Sequence, residues 1–119
     1  MKEKILLVDD NPRTRKDIVL FLRAEGYEVN EAANGREAIQ LLEEGNYDLV
    51  LSDVLMPKLD GFGLLKSMRS LFPQIPVLLI SGVSGVDANE AIKLGATDLV
   101  LKPLELNQLL VKIKAALEH

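Results

Sequence analysis

The chain has 119 residues, 48 % of them hydrophobic, and a formal charge of −4, which fits one globular domain able to bury roughly two thirds of its unfolded surface. It has no cysteine, so disulfides, thiolate nucleophiles and thiolate metal sites are excluded. Lys and Arg are scattered rather than striped, which argues against direct nucleic-acid binding, and no apolar run has signal-peptide or membrane-spanning form; a soluble, unexported, cytoplasmic domain without membrane contact is expected.

The first apolar run, "KILLV", reads as a buried strand and runs directly into Asp9 and Asp10. Asn11 can cap a helix and Pro12 tolerates its first turn, so a helix starts there, with Thr14, Ile18, Phe21 and Leu22 on one face and Gly26 as its stop. "YEVNEA" alternates as an edge strand does. "GREAIQLLEE" then stripes Ala38, Leu41 and Leu42 at helical spacing.

"YDLVLSD" is a nearly continuous apolar run ending at Asp53. "GFGLLKSMRSLF" follows as a helix with Gly61, Leu64, Leu65, Met68 and Phe72 on one face. "PVLLIS" is a fourth strand ending at Ser81, and "VDANEAIKL" a weak helix whose modest apolar face is Ala88, Ala91 and Ile92. "DLVLK" ends the strands at Lys102, and the clearest amphipath runs from Leu106 through Leu109, Leu110, Ile113 and Leu117. Residues 1–117 are expected to form the domain. The ending "LEH", with the only histidine, resembles the start of a purification tag, so 118–119 are set aside.

Five strands alternating with five helices predict an α/β fold: a doubly wound, parallel five-stranded (βα)5 sheet with helices on both faces, because parallel neighbours need helical crossovers. The flavodoxin-like strand order 2-1-3-4-5 is adopted for it, and sites in such sheets lie at the carboxyl ends of the strands. Asp9 and Asp10, Asp53, Ser81 and Lys102 all fall there. Taken singly, the acid pair could be a solvated loop, Ser81 with Gly82 a turn and Lys102 a surface lysine. Their convergence is what carries the argument.

Two negative charges about 4 Å apart repel by about 4 kcal/mol at an effective dielectric of about 20. Lys102 cannot neutralise three carboxylates, so a divalent cation is the natural completion. Mg²⁺ prefers one or two carboxylates, several waters and a shared phosphoryl oxygen. Asp53 is then a carboxylate nucleophile of the aspartyl-phosphate kind, with Lys102 offsetting phosphoryl charge and Ser81 donating a hydrogen bond. Lys58 and Asp60 are read as solvated, and Ser52 has no motif supporting hydroxyl phosphorylation.

"LLVDDN", "DLVLSDVLMPKLDGFGLL", "PVLLISG" and "LGATDLVLKP", in that order over essentially the whole chain, resemble the response-regulator receiver domains of bacterial two-component signalling. The resemblance implies a signalling phosphoprotein rather than an enzyme, one that takes phosphoryl from a phosphohistidine of a sensor histidine kinase or phosphotransfer protein onto Asp53, with Mg²⁺ as cofactor. It implies that Asp10, Asp53 and the backbone carbonyl of Leu55 ligate the metal, with Asp9 acting through water. It also implies that Ser81 and Lys102 contact the phosphoryl oxygens, and that the Lys102–Pro103 bond is cis. The output domain or downstream partner is not specified.

Rival readings fit less well. A haloacid-dehalogenase-like phosphatase needs a second Asp two residues after the nucleophile, where Leu55 stands. A flavin carrier needs phosphate-cradling donors where Asp9 and Asp10 would repel the phosphate. A receiver-like adaptor that binds partners without phosphorylation keeps some support from Leu99, which occupies the place of the usual switch Tyr or Phe, three residues before Lys102.

Two departures from the family pattern carry expectations. With Leu99 there, the conformational response is muted; with apolar Leu55 and Val83 flanking the route of the hydrolytic water, self-dephosphorylation is slow. Both are read in one time course followed by amide NMR: phosphate is lost more slowly than from Leu55→Asn, and phosphorylation shifts signals around Asp53 more extensively than across 94–110. Equal loss rates, or shifts as extensive across 94–110, would contradict these expectations.

Overall fold

A computed structural model describes residues 2–54, 61–82 and 88–118; Leu55, Lys58, Asp60 and Val83 lie outside the described residues. The elements follow in strict alternation: β1 (Lys4–Val8), α1 (Pro12–Ala24), β2 (Glu28–Ala32), α2 (Gly35–Glu44), β3 (Leu49–Asp53), α3 (Gly61–Leu71), β4 (Val77–Ser81), α4 (Ala88–Lys93), β5 (Asp98–Leu101) and α5 (Leu106–Leu117). The strands form one sheet in the order β2-β1-β3-β4-β5, every neighbouring pair parallel. This is the arrangement expected from the sequence. Among the described residues no helix is long and apolar enough to cross a membrane.

The near-continuous Leu, Val and Ile runs are explained by helices on both faces of the sheet. Leu6, Val8, Val50, Val77, Leu79 and Leu99 belong to the core shared with α2, α3 and α4, while Ile5, Leu7, Leu49, Leu51, Leu78, Ile80 and Val100 belong to the core shared with α1 and α5. The period-two alternation of a strand divides each run between these two cores. The helical stripes are buried as read at Ile18, Leu22, Ala38, Leu42, Leu64, Leu65, Met68, Leu109 and Ile113. Ile92 differs. In the short α4 only Ala91 is buried, and Ile92 turns to solvent at 48 % exposure.

Local chemistry sets the helix ends. The Asn11 side chain accepts from the N–H groups of Arg13 and Thr14, Asn34 accepts from Glu37 N–H, and Glu105 caps α5 by accepting from Asn107 and Gln108. Glu37 answers Asn34 by accepting from Ala33 N–H at 3.1 Å, a reciprocal cap. At the other side of the sheet, Lys112 of α5 donates to Asp98 at 2.7 Å. Burial opposes ionisation of Asp98, but the hydrogen bonds from Lys112 and Leu99 N–H outweigh it and hold its carboxyl below the ordinary value.

Helices α1 and α4 stop by the same device. Gly26 and Gly95 have φ of +97° and +108°, and the following residues, Tyr27 and Ala96, donate back to Leu22 and Ala91 at 3.1 and 3.0 Å. This is a left-handed cap that glycine takes without a Cβ penalty. The two sites differ in their surroundings: a Cβ at Gly26 would meet nothing within 4 Å, whereas one at Gly95 would lie 2.7 Å from Cγ and Cδ of Arg69. The Arg69 guanidinium is engaged, donating to the Pro73 and Ile75 carbonyls, so its stem is not free to swing away. Gly26→Ala is therefore expected to cost about 1–2 kcal/mol, and Gly95→Ala about 1–3 kcal/mol more through overpacking. Urea unfolding of the two variants, and of Gly95→Ala combined with Arg69→Ala, measures the difference; the double variant should recover the excess.

Candidate functional site

The register of the sheet assembles the site. Val8 pairs with Ser52, Asp53 with Ile80 and Ser81 with Leu101, so the next residue along β1, Asp9, comes level with Asp53, and Lys102 comes one step beyond Ser81. Asp53 and Ser81 are the last residues of their strands. Behind them the strands are apolar and fully covered. Asp9, Asp53 and Ser81 are themselves 1 %, 6 % and 1 % exposed.

Carboxylate oxygens of Asp9, Asp10 and Asp53 all lie within 4.8 Å of one another. Lys102 reaches over β4 to donate from Nζ to Asp53 Oδ2 at 2.9 Å. Its stem lies against Gly82, where a Cβ would approach the lysine Cδ to 3.3 Å. Its backbone N–H donates to Ser81 O at 2.8 Å, which fixes the origin of the side chain. The Lys102–Pro103 bond is cis, as the resemblance implied.

The two acids of β1 are held very differently. Asp9 is tied at three points: its N–H donates to Ala32 O at 3.1 Å, its Oδ1 accepts from Asn11 N–H at 2.9 Å, and its carbonyl accepts from Arg15 Nη1 at 2.7 Å. Burial pushes the Asp9 carboxyl above its ordinary value, with the charges of Asp53 and Asp10 adding to the rise and the Asn11 N–H and Lys102 opposing it. Asp10 is exposed, and its side chain makes no hydrogen bond among the described residues. The donor set of three hard carboxylate oxygens is the kind Mg²⁺ takes, and one lysine does not balance it. The residues therefore fit that ion.

Arg15 is the residue that sequence reading missed. Its Nε donates to Glu31 Oε1 at 3.0 Å while Nη1 holds the Asp9 carbonyl. A signal for it existed: Arg15 stands three, four and seven residues before Ile18, Val19 and Leu22, so it occupies the buried stripe of α1 at the end nearest the acids. Ser52 is fully buried and donates to the Asp53 carbonyl at 3.0 Å, a backbone-supporting role. Leu99 is buried in the core on the α4 side. A cleft of about 300 Å³ between Glu3, Tyr47, Asp48, Gln74 and Leu117 opens at the amino end of the strands, away from these groups.

The sequence model of the response regulator receiver domain matches residues 5–114. Over 116 residues the chain is 41 % identical to the transcriptional regulatory protein ZraR of Escherichia coli, covering 97 % of this chain and 26 % of that protein. It is 34 % identical to the transcriptional regulatory protein SrrA of Staphylococcus aureus, covering 100 % of this chain and 49 % of that one. The chain thus spans between about a quarter and about half of these relatives. Among solved structures it is similar to a CheY-like response regulator receiver domain protein from Methanospirillum hungatei, with a TM-score of 0.92, 30 % identity and coverage of 99 % of this chain and 95 % of that one. The receiver domain of NtrX from Brucella abortus gives a TM-score of 0.90 at 32 % identity, covering 96 % and 98 % of the two chains. With the sheet order, the acidic corner and the lysine reaching Asp53, these likenesses agree: the chain belongs to the response regulator receiver domain family, the phosphoaccepting modules of two-component signalling.

Proposed function

We propose that Asp53 is the phosphoacceptor of this domain and that its donor is the phosphohistidine of a sensor histidine kinase or a phosphotransfer protein. An Asp53 oxygen bonds to phosphorus as the phosphorus–nitrogen bond breaks. The imidazole leaves with the bonding electron pair and takes up a proton from solvent. Lys102 exchanges its bond to Asp53 for one to a phosphoryl oxygen, and the Ser81 hydroxyl donates a second. Asp10, Asp53 and the Leu55 carbonyl would hold Mg²⁺, with Asp9 acting through water, and the ion would supply charge neutralisation at the transferring group. In this sense the domain promotes its own phosphorylation and dephosphorylation.

The observation that carries this reading is the 2.9 Å contact between Lys102 Nζ and Asp53 Oδ2 beside two further carboxylates. A cation is already aimed at the acceptor, and the surplus negative charge calls for a second one. The buried Leu99 supports a reduced switch, because a side chain already inside the core has no inward swing to make. The relatives named as transcriptional regulatory proteins support a downstream role in gene control, exercised through an output partner rather than through these residues, in the cytoplasm and away from membranes.

Labelling by a small phosphodonor is expected to require Mg²⁺, to vanish in Asp53→Asn, and to slow by about 10²-fold in Lys102→Met, as when one preorganised phosphoryl donor is removed. Phosphate transfer followed by mass spectrometry checks all three. A folded, Mg²⁺-binding protein that takes no label would instead be a phosphorylation-independent adaptor.

The raised Asp9 value gives a pH dependence of definite sign. Between the ordinary 3.8 and the raised folded value, the folded chain keeps a proton on Asp9 that the unfolded chain has lost. The Asp9 contribution to stability is thus present below 3.8 and is lost as pH rises through the folded value. Metal binding requires the ionised form, so saturating Mg²⁺ should restore stability above that window. Thermal unfolding of the wild type and Asp9→Asn, in chelator and in Mg²⁺ across acidic to neutral pH, should show the pH-dependent loss only in the metal-free wild type.

A further inference from the structure

We propose that Arg15 is a positioning residue for the metal-holding corner: it fixes the Asp9–Asp10 peptide and with it the backbone origin from which the Asp10 carboxylate reaches toward Asp53. This rests on the reading that Asp10 and Asp53 hold Mg²⁺. It assigns a task to a residue that touches neither metal nor phosphoryl.

Nη1 of Arg15 donates to the Asp9 carbonyl at 2.7 Å, and that carbonyl is one end of the peptide whose other end is the Asp10 N–H. A planar peptide transmits a constraint on its oxygen to the following residue, because only φ and ψ on either side remain soft. The Asp9 side chain and N–H are anchored separately, by Asn11 and Ala32. Without the guanidinium, the Asp9 carbonyl loses its anchor and the peptide can turn about the neighbouring φ and ψ. Among the described residues Asp10 makes no side-chain hydrogen bond of its own, so its backbone position is inherited from this peptide and its neighbours.

Glu31 completes the device. It sits one residue before the end of β2 and holds Arg15 Nε at 3.0 Å, with the Arg15 and Glu31 side chains 20 % and 39 % exposed. The guanidinium therefore bridges β2, α1 and the turn after β1. The charge relation matters too. An unpaired arginine so near the acids would repel Mg²⁺, but paired with Glu31 it brings no net charge, so the bridge orients the corner without weakening its pull on a cation. Lysine, with a single point of donation, cannot span both acceptors in a fixed fork.

The charge-neutral double variant Arg15→Met/Glu31→Gln separates geometry from electrostatics, since local net charge is unchanged. Mg²⁺ binding is measured by titration calorimetry and by amide NMR of Asp10 and Asn11, at low salt and at about 0.5 M salt, where exposed-charge effects are screened. Binding is expected to weaken about tenfold at both salts, as for outer partners of metal ligands, with the Asp10 and Asn11 amides shifted before metal is added. Arg15→Lys should recover only part of the loss. Thermal unfolding in chelator shows whether the variants are folded, and Glu31→Gln, read at about 0.5 M salt where the charge of the unpaired Arg15 is screened, gives a second and milder test in the same direction. Affinity within threefold of wild type in the folded variants would overturn the proposal and leave Arg15 a structural bridge. Asp10→Asn is the control on the underlying reading: loss of Mg²⁺ binding there, with none in the double variant, sinks the positioning role alone, whereas a wild type without Asp10-dependent binding sinks both.

Discussion

Three carboxylates with oxygens within 4.8 Å of one another repel, and the sheet is arranged so that the two buried ones, Asp9 and Asp53, cannot move apart. The strands behind them carry large apolar side chains with no exposure, and sliding any one strand by a residue would turn its core face over to the other side. Register is thus strongly held, and the acids are held with it. What the sheet cannot supply is compensating charge, and on the proposed reading that deficit would be met by a cation and a cation-bound phosphoryl group.

The compensation is divided among residues with different freedoms. Lys102 is a flexible point charge on a rigid origin, already resting on Asp53. Asp9 is immobile and, through burial, reluctant to ionise, whereas Asp10 is exposed and available. A site built this way has one movable cation, one fixed acid and one adaptable acid, a division that would suit the arriving and leaving group of the proposed function.

Much of this was legible before any coordinates. Buried parallel strands write themselves as unbroken Leu, Val and Ile, and the residues after such runs must gather at one edge, so Asp9, Asp10, Asp53, Ser81 and Lys102 were found together from the order of elements. The helix stops at Gly26 and the cap at Asn11 were read from local chemistry. Ile92 was misplaced because a six-residue helix offers too few turns to define a face. Arg15 was passed over because a charged residue in an apolar stripe looks like solvent exposure near a helix end; only the carbonyl it meets gives it a role.

Helix α4 is weakly anchored. Within Ala88–Lys93 only Ala91 is buried, against three large side chains without exposure in α3. At about 0.8 kcal/mol for each buried carbon group, Ala91 with the partly buried Ala88 gives α4 a much smaller apolar contribution than Leu64, Leu65 and Met68 give α3. Helix α4 packs beside the strand that leads to Lys102. Among the described helices it is the one that the apolar core holds least.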